Sequence, residues 1–87
     1  MKNEGIQAAI LTKVKELSKS LGRDAHALKT SDVIPTSGVL DSAGLMELMI
    51  WYETEFALSI PQEDFTLEKL GSVDQMAAYV AVHSTPA

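Results

Sequence analysis

Few residues of this chain have the chemistry for a site, and most of them sit close together. Asp41-Ser42 sets a carboxylate beside a hydroxyl nucleophile where the turn-rich stretch Gly38-Val39-Leu40 gives way to a helical pattern, and Glu47, Glu53 and Glu55 follow on the same segment. The imidazoles, His26 and His83, are far apart, and neither has a partner at metal-ligand spacing, so both read as solvated side chains. There is no cysteine, hence no disulfide, no thiolate nucleophile and no cysteine metal site. A Ser-His-Asp hydrolase is a poor fit. Glycines do not flank Ser42 as a nucleophile elbow requires, and 87 residues are too few to enclose an oxyanion hole and a substrate pocket. The glutamates lack any sign of the burial that tunes a carboxylate for acid-base work, and they read as one acidic face. In an arbitrary protein an Asp-Ser pair at a helix start serves most often as a cap alone.

The segment after Ser42 must position all of this. Leu45, Leu48, Met49, Tyr52 and Phe56 recur at helical spacing and form a core-facing stripe, so the sequence predicts a helix over about Ser42 to Phe56, with Asp41 as its N-cap. Ala43, Met46, Ile50 and Trp51 fall on the opposite arc, interleaved with Glu47, Glu53 and Thr54. Apolar side chains on both arcs of a short helix point to a docking surface beside Ser42, or to packing under a long loop; periodicity leaves both open.

Asp41-Ser42, Leu45-Met46-Glu47-Leu48, Glu53-Thr54-Glu55-Phe56, Ile60-Pro61, Ser72-Val73 and Tyr79-Val80 together resemble the acyl carrier protein family over roughly residues 38 to 80, with a first helix of matching type and position. The resemblance implies a 4'-phosphopantetheine arm on Ser42, attached from coenzyme A by a phosphopantetheinyl transferase, with Asp41 helping to place Mg²⁺. It implies a non-catalytic carrier, loaded by an acyl or aminoacyl ligase and read by downstream acyltransferases or synthases. Ala43 stands where the family usually has leucine, Gly44 where an acid is frequent, and Trp51 where a smaller residue is usual. The resemblance leaves the cargo open among a fatty acyl chain, a polyketide intermediate and an activated amino acid, with Gly44 and Trp51 giving a slight lean toward a specialised carrier, aminoacyl or peptidyl, rather than a fatty-acid one.

Composition sets the outer limits. One domain, residues 1–87 with an ordered core of about 4–83, is the expectation for this length, and no apolar run reaches the length of a membrane span. No signal-peptide pattern opens the sequence, so a cytoplasmic, monomeric protein with no membrane insertion is expected. The net charge of −5 conceals a division: residues 1–30 carry six Lys or Arg against three acids, whereas residues 31–87 carry one Lys against nine. The acidic part would repel nucleic-acid phosphates and attract basic protein surfaces, which excludes nucleic acid as a partner class.

The remaining elements complete an all-α, four-helix bundle with three longer helices, one short one and a long first loop. Ile6, Ile10, Val14, Leu17 and Leu21 make the stripe of a first helix from about Asn3 or Glu4 to Leu21, with Gly22 as the cap that follows it. The loop to Asp41 carries turn residues, with a short helical turn expected around Asp24 to Leu28 and with Val33, Ile34 and Leu40 tacking it to the core. Phe65, Leu67 and Leu70 mark the short helix, with Thr66 as cap and Gly71 as stop. Ser72-Val73-Asp74-Gln75 reads as a capping box opening a last helix to about His83, whose inner stripe is Val73, Met76, Ala77 and Val80, with Tyr79 at its margin. Ser84 to Ala87 reads as a frayed tail.

The function expected is therefore to hold an acyl group as a thioester and present it to enzymes. Glu47, Glu53 and Glu55 would steer basic partners, and Ala43, Met46, Ile50 and Trp51 would discriminate among them. The rival from another class is an unmodified interaction module of the same shape, indifferent to Ser42→Ala.

Overall fold

The computed structural model describes residues 3–83; the expected tail, Ser84 to Ala87, lies outside them. In chain order the elements are α1 (Asn3–Ser20), α2 (Ile34–Ser37), α3 (Ser42–Glu55), a 3₁₀ turn (Gln62–Asp64), α4 (Leu67–Leu70) and α5 (Val73–His83), with no strand among the described residues. The architecture is a small all-helical bundle. Its radius of gyration, 12.1 Å, is that of a compact chain, about 12 Å for this length.

The periodicities explain the long helices. Ile6, Ile10, Val14 and Leu17 of α1 are buried, and they meet Leu48 and Tyr52 of α3 and Val73, Met76, Ala77 and Val80 of α5 in one core. α1 packs against both of the other long helices. Tyr52 is the largest fully buried side chain; its hydroxyl donates to the Met76 carbonyl at 2.7 Å, so the α3–α5 contact satisfies the polar atom that it buries. Burial pushes the Tyr52 phenol well above its ordinary value.

Leu21 departs from the stripe expected of it. Gly22 takes a left-handed conformation, φ 72°, and the Arg23 amide returns to the Ser18 carbonyl at 2.9 Å, closing the helix C-terminus. That turn carries the chain off the core, leaving Leu21 39% exposed.

The long loop is tied down differently from the expectation. Asp24 to Leu28 forms no helix. The Asp24 carboxylate accepts from the His26 amide at 2.8 Å in a side-chain-closed turn, and the Leu28 amide bonds the Ala25 carbonyl. The extra helical turn is α2, with Pro35 in its first turn and left-handed Gly38 as its cap. Ile34 and Leu40 tack the loop to the core as expected, joined by Ala25 and Val39, whereas Val33 is exposed. Two backbone bonds finish the job: Ile34 N–H to the Gly71 carbonyl at 2.7 Å, and Asp74 N–H to the Thr30 carbonyl at 2.9 Å. The second occupies a donor that the first turn of α5 cannot satisfy itself.

α4 is short enough to need fastening. The Thr66 hydroxyl accepts from the Lys69 amide, as expected of its cap, and Asp64 holds the segment to α5. The Asp64 carboxylate is 2.6 Å from Lys69 Nζ and accepts from Tyr79 Oη at 2.7 Å. The Lys69 and Tyr79 donors hold Asp64 below the usual carboxylate range, while Asp64 raises Lys69 and pushes Tyr79 up to about 12. Tyr79 is thus buried rather than marginal. Half of the capping box is present: Ser72 Oγ accepts from the Gln75 amide, but the Gln75 side chain donates to the Glu68 carbonyl at 2.6 Å instead of returning to Ser72.

Candidate functional site

The site is built on the first turn of α3. Asp41 is extended, φ −88° and ψ −177°; its carbonyl accepts from Leu45 N–H at 2.9 Å and its Oδ1 accepts from Gly44 N–H at 2.7 Å. Asp41 is therefore the cap that the sequence predicts, and its charge complements the positive end of the helix. This leaves Ser42 without a structural task. It is exposed, and its hydroxyl takes part in none of the hydrogen bonds of the described residues.

Gly44 has a packing reason for its small size. A Cβ there would lie 3.2 Å from Asp41 Oδ1, 3.3 Å from Leu40 Cδ2 and 3.4 Å from Leu21 Cδ1, so the glycine lets the loop and the end of α1 close against the cap. A side chain at this buried position would have to push these three side-chain ends aside by a few tenths of an ångström.

The expected docking residues divide into two groups. Met46 is 66% and Ile50 61% exposed, and both line a groove of about 400 Å³ with Ser42, Leu45, Met49, Glu53 and Phe65. Ala43, Glu47 and Glu55 are exposed on the same helix. Glu53 also has a backbone duty, accepting from Ile60 N–H at 3.2 Å. Trp51 lies elsewhere. It is half-buried on the α1 flank, its ring edge-on to Phe56 at 5.8 Å and under Lys13 Nζ at 5.9 Å, beside Ala8, Ala9 and Thr12. It does not line the groove at Ser42 and adds nothing there to the lean toward an aminoacyl or peptidyl cargo.

Phe65 is the groove residue that sequence reasoning missed. The sequence places it as a marker of the short helix, but it stands before the Thr66 cap, outside α4, and is exposed. It lines a second, apolar cleft of about 220 Å³ as well, with Ile34 and Pro35 of α2, Leu45, Leu48 and Met49 of α3, and Leu67 and Leu70 of α4. Leu45, Met49 and Phe65 are common to both spaces, so the groove at the exposed serine and the open apolar cleft are walled by the same three side chains.

A serine hydroxyl free of internal bonds, at the positive end of a helix, can accept a phosphate-linked group without unfolding anything. No family model, no curated protein and no solved structure matches the chain. No described helix is long and apolar enough to cross a membrane.

Proposed function

We propose that this protein is an acyl carrier, holding its cargo as a thioester on 4'-phosphopantetheine attached to Ser42. One observation carries the reading: Asp41 alone caps α3, and Ser42 is exposed and unbonded beside an apolar cleft. A serine kept only for capping would have its hydroxyl on a first-turn amide.

The residues present fit the arm. The Ser42 oxygen would bond to the pantetheine-side phosphorus of coenzyme A, the pyrophosphate P–O bond would break, and adenosine 3',5'-bisphosphate would leave, with the serine proton passing to a base of the transferase. Asp41 spends Oδ1 on the Gly44 amide, and its Oδ2, which has no partner among the described hydrogen bonds, would be the oxygen free to help hold a Mg²⁺ ion, which would offset phosphate charge during the transfer. The arm supplies the thiol that the cysteine-free chain lacks. Met46 and Ile50 provide apolar contact for a partner enzyme, and Glu47, Glu53 and Glu55 provide charge for orienting its approach.

The cleft favours a hydrocarbon cargo. Eight of its nine lining residues are apolar, an environment that stabilises a buried chain by about 0.8 kcal/mol per methylene and offers no carboxylate to a free α-ammonium group. Loading tests this reading. Phosphopantetheinylated protein should take a labelled octanoyl group from an acyl ligase, release it to neutral hydroxylamine, and take none as Ser42→Ala. Loading by an amino-acid ligase alone would replace acyl by aminoacyl, and no hydroxylamine-labile label from either would sink the carrier reading.

A further inference from the structure

A second charged face, opposite in sign to the acids of α3, lies at the end of α1. Lys15 and Lys19 are one helical turn apart on α1, and the chain, turning left-handed at Gly22, brings Arg23 and His26 beside them. Together with Asp24 and Ala25 these side chains line a concavity of about 420 Å³. Three permanent cations face one carboxylate there. That carboxylate is turned to its own backbone, accepting from the His26 amide at 2.8 Å, and among the described residues no acid lies within ion-pair distance of Lys15, Lys19 or Arg23. Like charges at this spacing destabilise a helix, and Lys15–Lys19 carries that cost without an internal counter-charge.

This face adjoins the site. Arg23 Nη1 donates to the Gly38 carbonyl at 3.1 Å, three residues before the cap, and Leu21 Cδ1 lies 3.4 Å from where a Gly44 Cβ would stand. Arg23 thus ties the basic end of α1 to the loop that leads into α3. The segregation is the one visible in sequence, six of the seven Lys and Arg lying within residues 1–30.

We propose that the end of α1, centred on Lys15, Lys19 and Arg23, is a second docking face, for a partner protein that presents a carboxylate-rich surface. The proposal rests on the carrier reading for its purpose, because a carrier is both loaded and unloaded, and two faces of opposite charge let two different enzymes engage it without sharing a footprint. The binding itself does not depend on Ser42 being modified. The occupant is a protein surface because the cations extend over one helical turn and the following loop, a spread suited to several carboxylates more than to one small anion.

The test is an amide-resolved NMR titration of the unmodified full chain with octaglutamate, octalysine and inorganic phosphate at low salt. Octaglutamate should move amides of residues 13–29, octalysine those of 42–55, and both sets should collapse at 0.5 M NaCl. The triple variant Lys15→Glu, Lys19→Glu, Arg23→Glu, its fold checked by the unchanged α5 amides, should lose at least tenfold in octaglutamate affinity and keep its octalysine response. The single variant Lys19→Glu should lose part of it and guards against an unfolded triple variant. Octaglutamate shifts that are absent, or spread over the whole chain, would overturn the proposal. Phosphate shifting residues 15–26 at lower concentration than octaglutamate would overturn it in favour of a small-anion site. Failure of Ser42 to accept phosphopantetheine would leave these shifts in place, so the two readings fail separately.

Discussion

Removing the Asp41 carboxylate should destabilise the protein, and removing the neighbouring Ser42 hydroxyl should not. Asp41→Ala deletes the 2.7 Å bond to the Gly44 amide and leaves a first-turn donor to water; losses of this kind cost about 1 kcal/mol, within a range of about 0.5–2. The lost charge at the positive end of α3 adds about 0.3–1 kcal/mol at low salt. For a domain of this size, 1 kcal/mol displaces the thermal midpoint by about 4–8 °C, so Asp41→Ala should melt roughly 5–10 °C below wild type. Asp41→Asn keeps the acceptor and should fall only by the charge component, a difference that shrinks in 0.5 M salt. Ser42→Ala removes an exposed hydroxyl with no partner and should stay within about 0.5 kcal/mol of wild type. Differential scanning calorimetry of the unmodified proteins reads all three. A Ser42→Ala loss equal to that of Asp41→Ala would mean that the serine is the cap, and the argument that its hydroxyl is free for chemistry would fail.

Ala57 holds a left-handed conformation, φ 52°, at the end of α3, where a side chain costs about 1–2 kcal/mol; Ala57→Gly should therefore stabilise by about 0.5–1 kcal/mol after the entropy of glycine in the unfolded chain is set against it, measured by urea unfolding. Ser18→Ala should raise stability by about 0.5 kcal/mol in the same assay, because the Ser18 hydroxyl is fully buried without a partner and alanine is the better helix former. Asp64 is held below the usual carboxylate range first by Lys69 and then by Tyr79, so its contribution is present above the unfolded carboxylate value, about 3.9, and is lost as pH falls through the lower folded value. Urea midpoints from pH 6 to pH 2 should fall less steeply for Asp64→Asn than for wild type, and parallel curves would contradict the Asp64 clamp.

Long-period patterning made α1, α3 and α5 legible, because each buries a stripe repeated over several turns that local sequence displays in full. The caps at Asp41 and Thr66 were legible for the same local reason. α2 was not: Pro35 reads equally as a breaker or as a first-turn residue, and the Ile34–Gly71 backbone bond that favours the second joins positions far apart in sequence. The burial of Tyr79 depended on Asp64, fifteen residues away, and the displacement of Leu21 depended on the handedness of Gly22. Trp51 shows the limit of a helical wheel. Its arc placed it with Ile50, but α1 passes close enough to claim one side of the ring. The groove was half visible, since Ser42, Met46 and Ile50 share one helix whereas Phe65 comes to it from another segment.

The most direct test of the carrier reading is intact mass spectrometry after incubation of the purified protein with coenzyme A, Mg²⁺ and a broad-specificity phosphopantetheinyl transferase. Wild type should gain the mass of one phosphopantetheine, mapped to the Ser42 peptide, and Ser42→Ala should gain none. A wild-type mass unchanged by several such transferases, or an equal gain on Ser42→Ala, would contradict the assignment of Ser42 as the attachment site.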